Sequence, residues 1–168
     1  IETDSTYDAG TTTQLMWGAR SDVGCVRPHN EDSYLVQSPL FCVCDGMGGH
    51  AAGEVASSIA VETIAKTAPQ SADAARLAAA VEAANAAVIE AALNGLGKPG
   101  MGCTATCAYI ENDTLAIAHV GDSRAYLLHE GTLIRVTRDH SYVEELVDAG
   151  EITADEARVH PNRSVITR

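Results

Sequence analysis

A chain of 168 residues, 46% hydrophobic and 20% charged, is long enough to bury a core, and one compact domain is the default expectation. A formal charge of −12 argues against a nucleic-acid or anionic-membrane surface, because the eleven Lys and Arg are scattered and form no basic patch. A protein of this charge that works on phosphate must bring positive charge to it locally, and bound metal ions are the obvious source.

Residues 1–14, IETDSTYDAGTTTQ, are polar and Thr-rich without apolar period, and are expected to be a disordered tail or linker, with structure starting near Leu15. LMWGARSDVG, YLV and LFCVC then read as short strands, the last a continuous apolar run of the kind buried on both faces. Between the first two lies RPHNED, residues 27–32, with an acidic pair and an arginine four residues before Glu31. Arginine's fork suits two phosphate oxygens, and Glu31 and Asp32 suit metal-bound waters, although a solvated loop with a surface ion pair has the same composition.

The third strand runs into Asp45 and then Gly-Met-Gly-Gly. A carboxylate at the end of an apolar strand needs a cation, a donor or an exposed edge. The glycines let the backbone come close, so that the carbonyl of Gly46 joins Asp45 as an oxygen ligand for a hard cation such as Mg²⁺ or Mn²⁺. The plainer reading is a strand-to-helix turn capped by the aspartate.

From Gly53 the period becomes helical, with Val55, Ile59 and Ile64 on one face as far as Lys66. A second, Ala-rich helix is expected from Asp73 to Leu93, stopped by Asn94-Gly95. CTATCAYI and TLAIAHV flank a turn at END, and RAYLLH and TLIRVT are joined through Glu130-Gly131. Asp122, in HVGDSRAYL, follows a strand and a glycine, so that a second strand-end Gly/Asp turn appears in one small chain; a hairpin turn capped by Asp is the alternative. Ser141-x-x-Glu144 and Thr153-x-x-Glu156 have capping-box spacing, with Gly150 ending the first of two short helices. Strands, two helices and a meander make an α+β order rather than an alternating doubly wound sheet.

Cysteines stand at 25, 42, 44, 103 and 107. Reduced thiols in the cytoplasm are expected, and C-x-C and C-x-x-x-C inside apolar strands lack the loop geometry of a zinc site. No uninterrupted apolar run of about 18 residues offers a membrane span. His50 and His140 lie beside acidic motifs as candidate proton donors. The glycine loop keeps neither G-x-G-x-x-G spacing nor a P-loop lysine, which leaves little for a nucleotide.

R-x-x-N-E-D at 27–32, DGMGGHAAGE at 45–54, Gly102-Cys103-Thr104-Ala105-Thr106 and HVGDSRAYL at 119–127, in that order, resemble the bacterial form of the metal-dependent Ser/Thr protein phosphatases of type 2C, the PPM family. The resemblance runs from about residue 15 to the last. It implies a four-layer α/β/β/α sandwich and hydrolysis of phosphoserine and phosphothreonine in proteins through a metal-bridged hydroxide. In this likeness Asp45 bridges two Mn²⁺ or Mg²⁺ ions, Gly46 gives one of them its carbonyl, Glu31 holds metal water, Arg27 binds the substrate phosphate, and Asp122 serves a third, weaker metal site. Residues 139–168 resemble the flap that the family links to substrate choice.

Two departures stand out. Met47 occupies the place where eukaryotic members carry a histidine, which leaves His160 in the flap as the candidate general acid. The sequence ends at VITR, before the family's second Asp-Gly motif and its terminal Asp-Asn pair, so residues 15–168 are expected to be the N-terminal portion of a single domain without its C-terminal strands. Phosphoproteins made by a Ser/Thr kinase are the implied partners, with association through open sheet edges. The competing reading is a non-catalytic phosphatase-like scaffold or an inactive fragment.

Overall fold

Small side chains decide how this chain packs. In the computed structural model, which describes residues 5–49 and 51–168, the central element is β4 (Leu40–Met47), flanked by β3 (Asp32–Gln37) on one side and by β5 (Gly102–Cys103) and β6 (Ala105–Glu111) on the other. β7 (Thr114–Val120) completes an antiparallel five-stranded sheet. The register Asp32↔Asp45 and Cys42↔Cys107 fixes which side chains share a face. Leu40, Cys42 and Cys44 are buried beneath α1 (Ala52–Thr67) and α2 (Ala74–Leu93), whose own buried residues are mostly Ala. With so little side chain between them, helices and sheet approach closely, and only Ile64 and Leu77 supply large apolar volume among the fully buried residues. Burying each contributes about 2 kcal/mol.

The α+β class expected from the element order is what the chain forms, and the helix limits lie within one residue of those read from the period. Asp73 caps α2 by accepting the Arg76 N–H at 3.0 Å. Two expectations need correction. Residues 5–11, expected in a tail, form β1 (Ser5–Thr11), paired along its length with β2 (Met16–Asp22). The Thr-rich stretch supplies the turn: Thr12 donates its N–H to the Leu15 carbonyl, and its hydroxyl accepts from Leu15 N–H. Gly10 lies under the Trp17 ring, where a Cβ would come within 2.2 Å of the indole. β4 is also not buried on both faces. Trp17 packs on Phe41 at 5.7 Å between ring centroids, but the neighbouring Val43 remains 48% exposed.

The chain divides between His119 and Val120 into two compact units. The second unit holds the hairpin β8 (Tyr126–His129) and β9 (Thr132–Arg135), turning through Glu130 and Gly131, both at positive φ, as the Glu-Gly pair suggests. Its helices α3 (Tyr142–Asp148) and α4 (Ala154–Val159) start at Ser141 and Thr153. Thr153 and Glu156 form a complete reciprocal capping box, whereas Ser141 only accepts the Glu144 N–H. Among the described residues no helix is long and apolar enough to cross a membrane.

Candidate metal and phosphate site

In the first unit a polar cavity of about 230 Å³ opens where β2, the 27–32 loop and the end of β4 meet, lined by Arg27, Glu31, Asp32, Asp45 and Gly46 together with Asp22, Val23, His29 and Asn30. Four of the six predicted site residues, Arg27, Glu31, Asp45 and Gly46, are therefore brought together. Asp45 is placed from both flanks. Its N–H donates to the Thr104 hydroxyl at 2.9 Å, and its carbonyl accepts the Thr104 N–H at 2.9 Å. Asp32 stands directly opposite it on β3.

Burial, the neighbouring charge of Asp32 and a hydrogen bond with Asp32 together raise the Asp45 carboxyl above the usual carboxylate range, and Arg27 opposes the rise. Two carboxylates held face to face with one arginine beside them form a site short of positive charge. That donor chemistry suits a hard divalent cation.

The backbone around the pair is compressed in a way that only glycine permits. A Cβ on Gly46 would lie 2.0 Å from the Gly53 carbonyl oxygen and 2.6 Å from that of Glu31. A Cβ on Gly53 would lie 2.8 Å from Oε2 of Glu31. Gly46 donates its N–H to the Glu31 carbonyl at 3.1 Å, and the Ser57 hydroxyl on α1 donates to the same carbonyl at 2.7 Å. The Glu31 main chain is thus held between the Gly46 loop and the first helix. Asn30 fixes the loop from the other side, accepting the Asp32 N–H at 3.0 Å and donating to Ser21 at 2.7 Å. Among the described residues no group of three or more His, Cys, Asp or Glu side chains converges as a ready-made metal cage. The oxygens that fit a cation are the Asp32–Asp45 pair with main-chain carbonyls beside it.

Asp122 and His160, the other two predicted residues, belong to the second unit. Asp122 lines a separate cavity of about 490 Å³ there, with Arg124, Arg135, Asp139 and Glu144 among its neighbours. Arg124 grips the buried Asp139 through Nε at 3.0 Å and Nη2 at 2.7 Å, which raises the arginine's pKa. His160 ends α4, its Nδ1 accepting the Asn162 N–H at 3.0 Å and its ring lying edge-on to Tyr142. His140 is locked to Gly121: its ring Nδ1 accepts the Gly121 N–H at 3.1 Å, and its own N–H donates to the Gly121 carbonyl at 2.8 Å. His50 lies outside the described residues.

Sequence reasoning missed Thr104 as the anchor of Asp45, Asp22 as part of the cavity wall, and the Arg124–Asp139 pair. Asp22 had a legible signal in Arg20-x-Asp22-x-Gly24: it accepts the Gly24 N–H at 2.8 Å and pairs with Arg20, both of which lower its pKa.

With this geometry in view, the comparisons with known proteins are decisive. Residues 17–146 match Protein phosphatase 2C. The chain belongs to the protein phosphatase 2C family. It is 44% identical over 163 residues to the serine/threonine protein phosphatase PstP of Mycobacterium tuberculosis, covering 95% of this chain and 32% of PstP. The crystal structure of M. tuberculosis PstP/Ppp superposes with a TM-score of 0.82 at 41% identity, over 98% of this chain and 67% of that one. A second PstP structure, of the catalytic domain in complex with two manganese ions, gives 0.76 at 40% identity, over 91% and 64%. The chain therefore spans about a third of the length of the curated relative and about two thirds of the solved domains.

Proposed function

We propose that the protein carrying this chain is a Mn²⁺- or Mg²⁺-dependent phosphatase that removes phosphate from phosphoserine and phosphothreonine in proteins. The observation that carries the reading is the Asp32–Asp45 carboxylate pair, held against the Gly46 loop in the cavity that Arg27 also lines. PstP, the relative crystallised with two manganese ions, supports the same chemistry. A divalent cation bound there supplies the Lewis acidity that activates water and offsets phosphate charge.

The chain's own residues do the rest. Arg27 presents a planar fork to two phosphate oxygens, which orients the ester for in-line displacement. Asp45, fixed by Thr104 on both its N–H and its carbonyl, gives its carboxylate and Gly46 its carbonyl to the cation. Glu31 and Asp32 order water around it. In the second unit Asp122 serves a weaker third site, residues 139–168 act as the flap that selects substrates, and His160 protonates the leaving oxygen. The reading also takes the products of a bacterial Ser/Thr kinase as substrates, the cytoplasm as the location, and pairing of open sheet edges as a route to association.

The test is phosphate release from a phosphothreonine peptide by the full-length protein, with Mn²⁺, with chelator, and with Asp45→Asn. Turnover that needs metal and disappears in the variant is expected. Undiminished turnover in Asp45→Asn would remove Asp45 from the mechanism, and turnover indifferent to chelator would remove the metal.

A further inference from the structure

Four of the five free cysteines gather at one place that the phosphatase chemistry does not use. Cys42 and Cys44 on β4, Cys103 on β5 and Cys107 on β6 all lie beneath the Asp45 end of the sheet, whereas Cys25 is exposed and apart from them. The Sγ atoms of Cys42 and Cys107 are 2.8 Å apart and those of Cys42 and Cys44 3.8 Å apart, and Cys103 contacts Cys44.

Strand register decides which of these thiols can be joined. Ile110 donates its N–H to Pro39 and Thr104 to Asp45, and these are hydrogen-bonded pairs of the β4–β6 ladder. Counting inward from either end by alternation, the pair Cys42↔Cys107 is a non-hydrogen-bonded one, whose Cα atoms stand about 4.5 Å apart. That lies inside the range of about 4.4–6.8 Å that a disulfide spans. Cys103 pairs with Gly46, so it is a diagonal neighbour of Cys44 at roughly 7–8 Å between Cα atoms, too far to bridge without moving the backbone. Cys42 and Cys44 are successive residues on one face of one strand, about 6.6 Å apart with parallel Cβ vectors, which is the wrong direction for a bond.

We propose that Cys42 and Cys107 are a redox modification site, closing to a cross-strand disulfide under a peroxide oxidant. Hydrogen peroxide oxidises one of the two thiols to a sulfenic acid and leaves as one water. The second thiol then attacks that sulfur, forming the S–S bond and releasing a second water. Two thiols lose two protons and two electrons, and the O–O bond is reduced. Cys103, only partly buried, is the member of the cluster nearest to solvent, since Cys42, Cys44 and Cys107 are buried. Hydrogen bonds with the Cys107 and Cys44 thiols, and then burial, hold the Cys42 thiol above its ordinary pKa; the buried pair closes more slowly than the exposed Cys25 is oxidised. The bridge forms in the register that already places Thr104 against Asp45, and so ties β4 to β6 beneath the metal loop without shifting it.

The experiment treats the chain carrying Cys25→Ser with hydrogen peroxide, alkylates the remaining thiols in denaturant, and maps the peptides by mass spectrometry. The expected result is a fall from four alkylatable thiols to two, with Cys42 and Cys107 recovered in one linked peptide that separates on reduction. Cys42→Ala and Cys107→Ala, each added to that background, are expected to leave the other three thiols unlinked. A Cys44–Cys103 peptide, a bridge persisting in Cys42→Ala, or four thiols still alkylated after prolonged oxidant would each overturn the proposal. The mapping of the chain with all four interior cysteines intact decides the matter even if a variant fails to fold.

Discussion

Two strand ends in this chain present an aspartate beside a glycine, and their surroundings are opposite. At the end of β4, Asp45 faces a second carboxylate, Asp32, and its pKa rises because of burial first and the charge of Asp32 second. At the end of β7, Asp122 lines a cavity in which Arg124, Arg135, Arg158 and Arg163 stand among Asp139 and Glu144, and Arg124 already neutralises Asp139. The same pair of residue types thus makes one site of paired carboxylates short of positive charge and one in which arginines pair with the neighbouring Asp139 and Glu144. What differs is not the turn but what the neighbouring strand and helix bring to it.

The sharpest way to break this contrast is to remove each aspartate in turn. Asp45→Asn is expected to lower metal-dependent hydrolysis by the full-length protein at least about a hundredfold, and Asp122→Asn by about tenfold or less. Equal losses in steady-state assays would show that the two turns do the same work. Protons sharpen the same test. Because the Asp45 pKa is raised in the folded chain, its protonated form is favoured there; that contribution to stability is present at low pH and is lost as pH rises through the raised value. A cation must displace that proton, so Mn²⁺ affinity is expected to weaken as pH falls through the same window, a dependence that Asp45→Asn flattens in titrations at several pH values.

Stability separates the regions further. Asp139 is nearly buried, so Asp139→Asn leaves Arg124 without its charged partner and is expected to cost about 2 kcal/mol in urea unfolding, after discounting for the partial exposure of the guanidinium. Thr153→Ala, which opens the reciprocal capping box of α4, is expected to cost about 1 kcal/mol. Asp32→Asn has the opposite sign: relieving the repulsion at Asp45 is expected to stabilise the metal-free chain by less than about 1 kcal/mol. A destabilising Asp32→Asn would mean that the carboxylate pair is satisfied in a way that its register does not suggest.

Much of this was readable from local patterns. The Asp73 cap, the Asn94 stop and the Glu130-Gly131 turn depend on a few neighbouring residues, and they lie where the period and the capping chemistry put them. Arg27, Glu31, Asp45 and Gly46 were legible as motif residues. What sequence could not show was long-range register: nothing along the chain says that Thr104 anchors Asp45 or that Cys42 faces Cys107, because these pairs join strands far apart in sequence, whereas Asp32 faces Asp45 across the local β3–β4 hairpin that turns at Ser38-Pro39. β1 was missed for a related reason. Its polar residues carry no apolar alternation, and its order comes from pairing with β2 and from Trp17 lying over Gly10.

The most direct measurement is Mn²⁺ binding to the chain, followed by electron paramagnetic resonance, for the unaltered sequence, Asp45→Asn, and Asp155→Asn as an exposed acidic control. The account predicts that Asp45→Asn binds Mn²⁺ at least about tenfold more weakly while the control matches the unaltered chain. Equal affinity in all three would contradict it, and would mean that the Asp45 turn is a structural turn rather than a cation site.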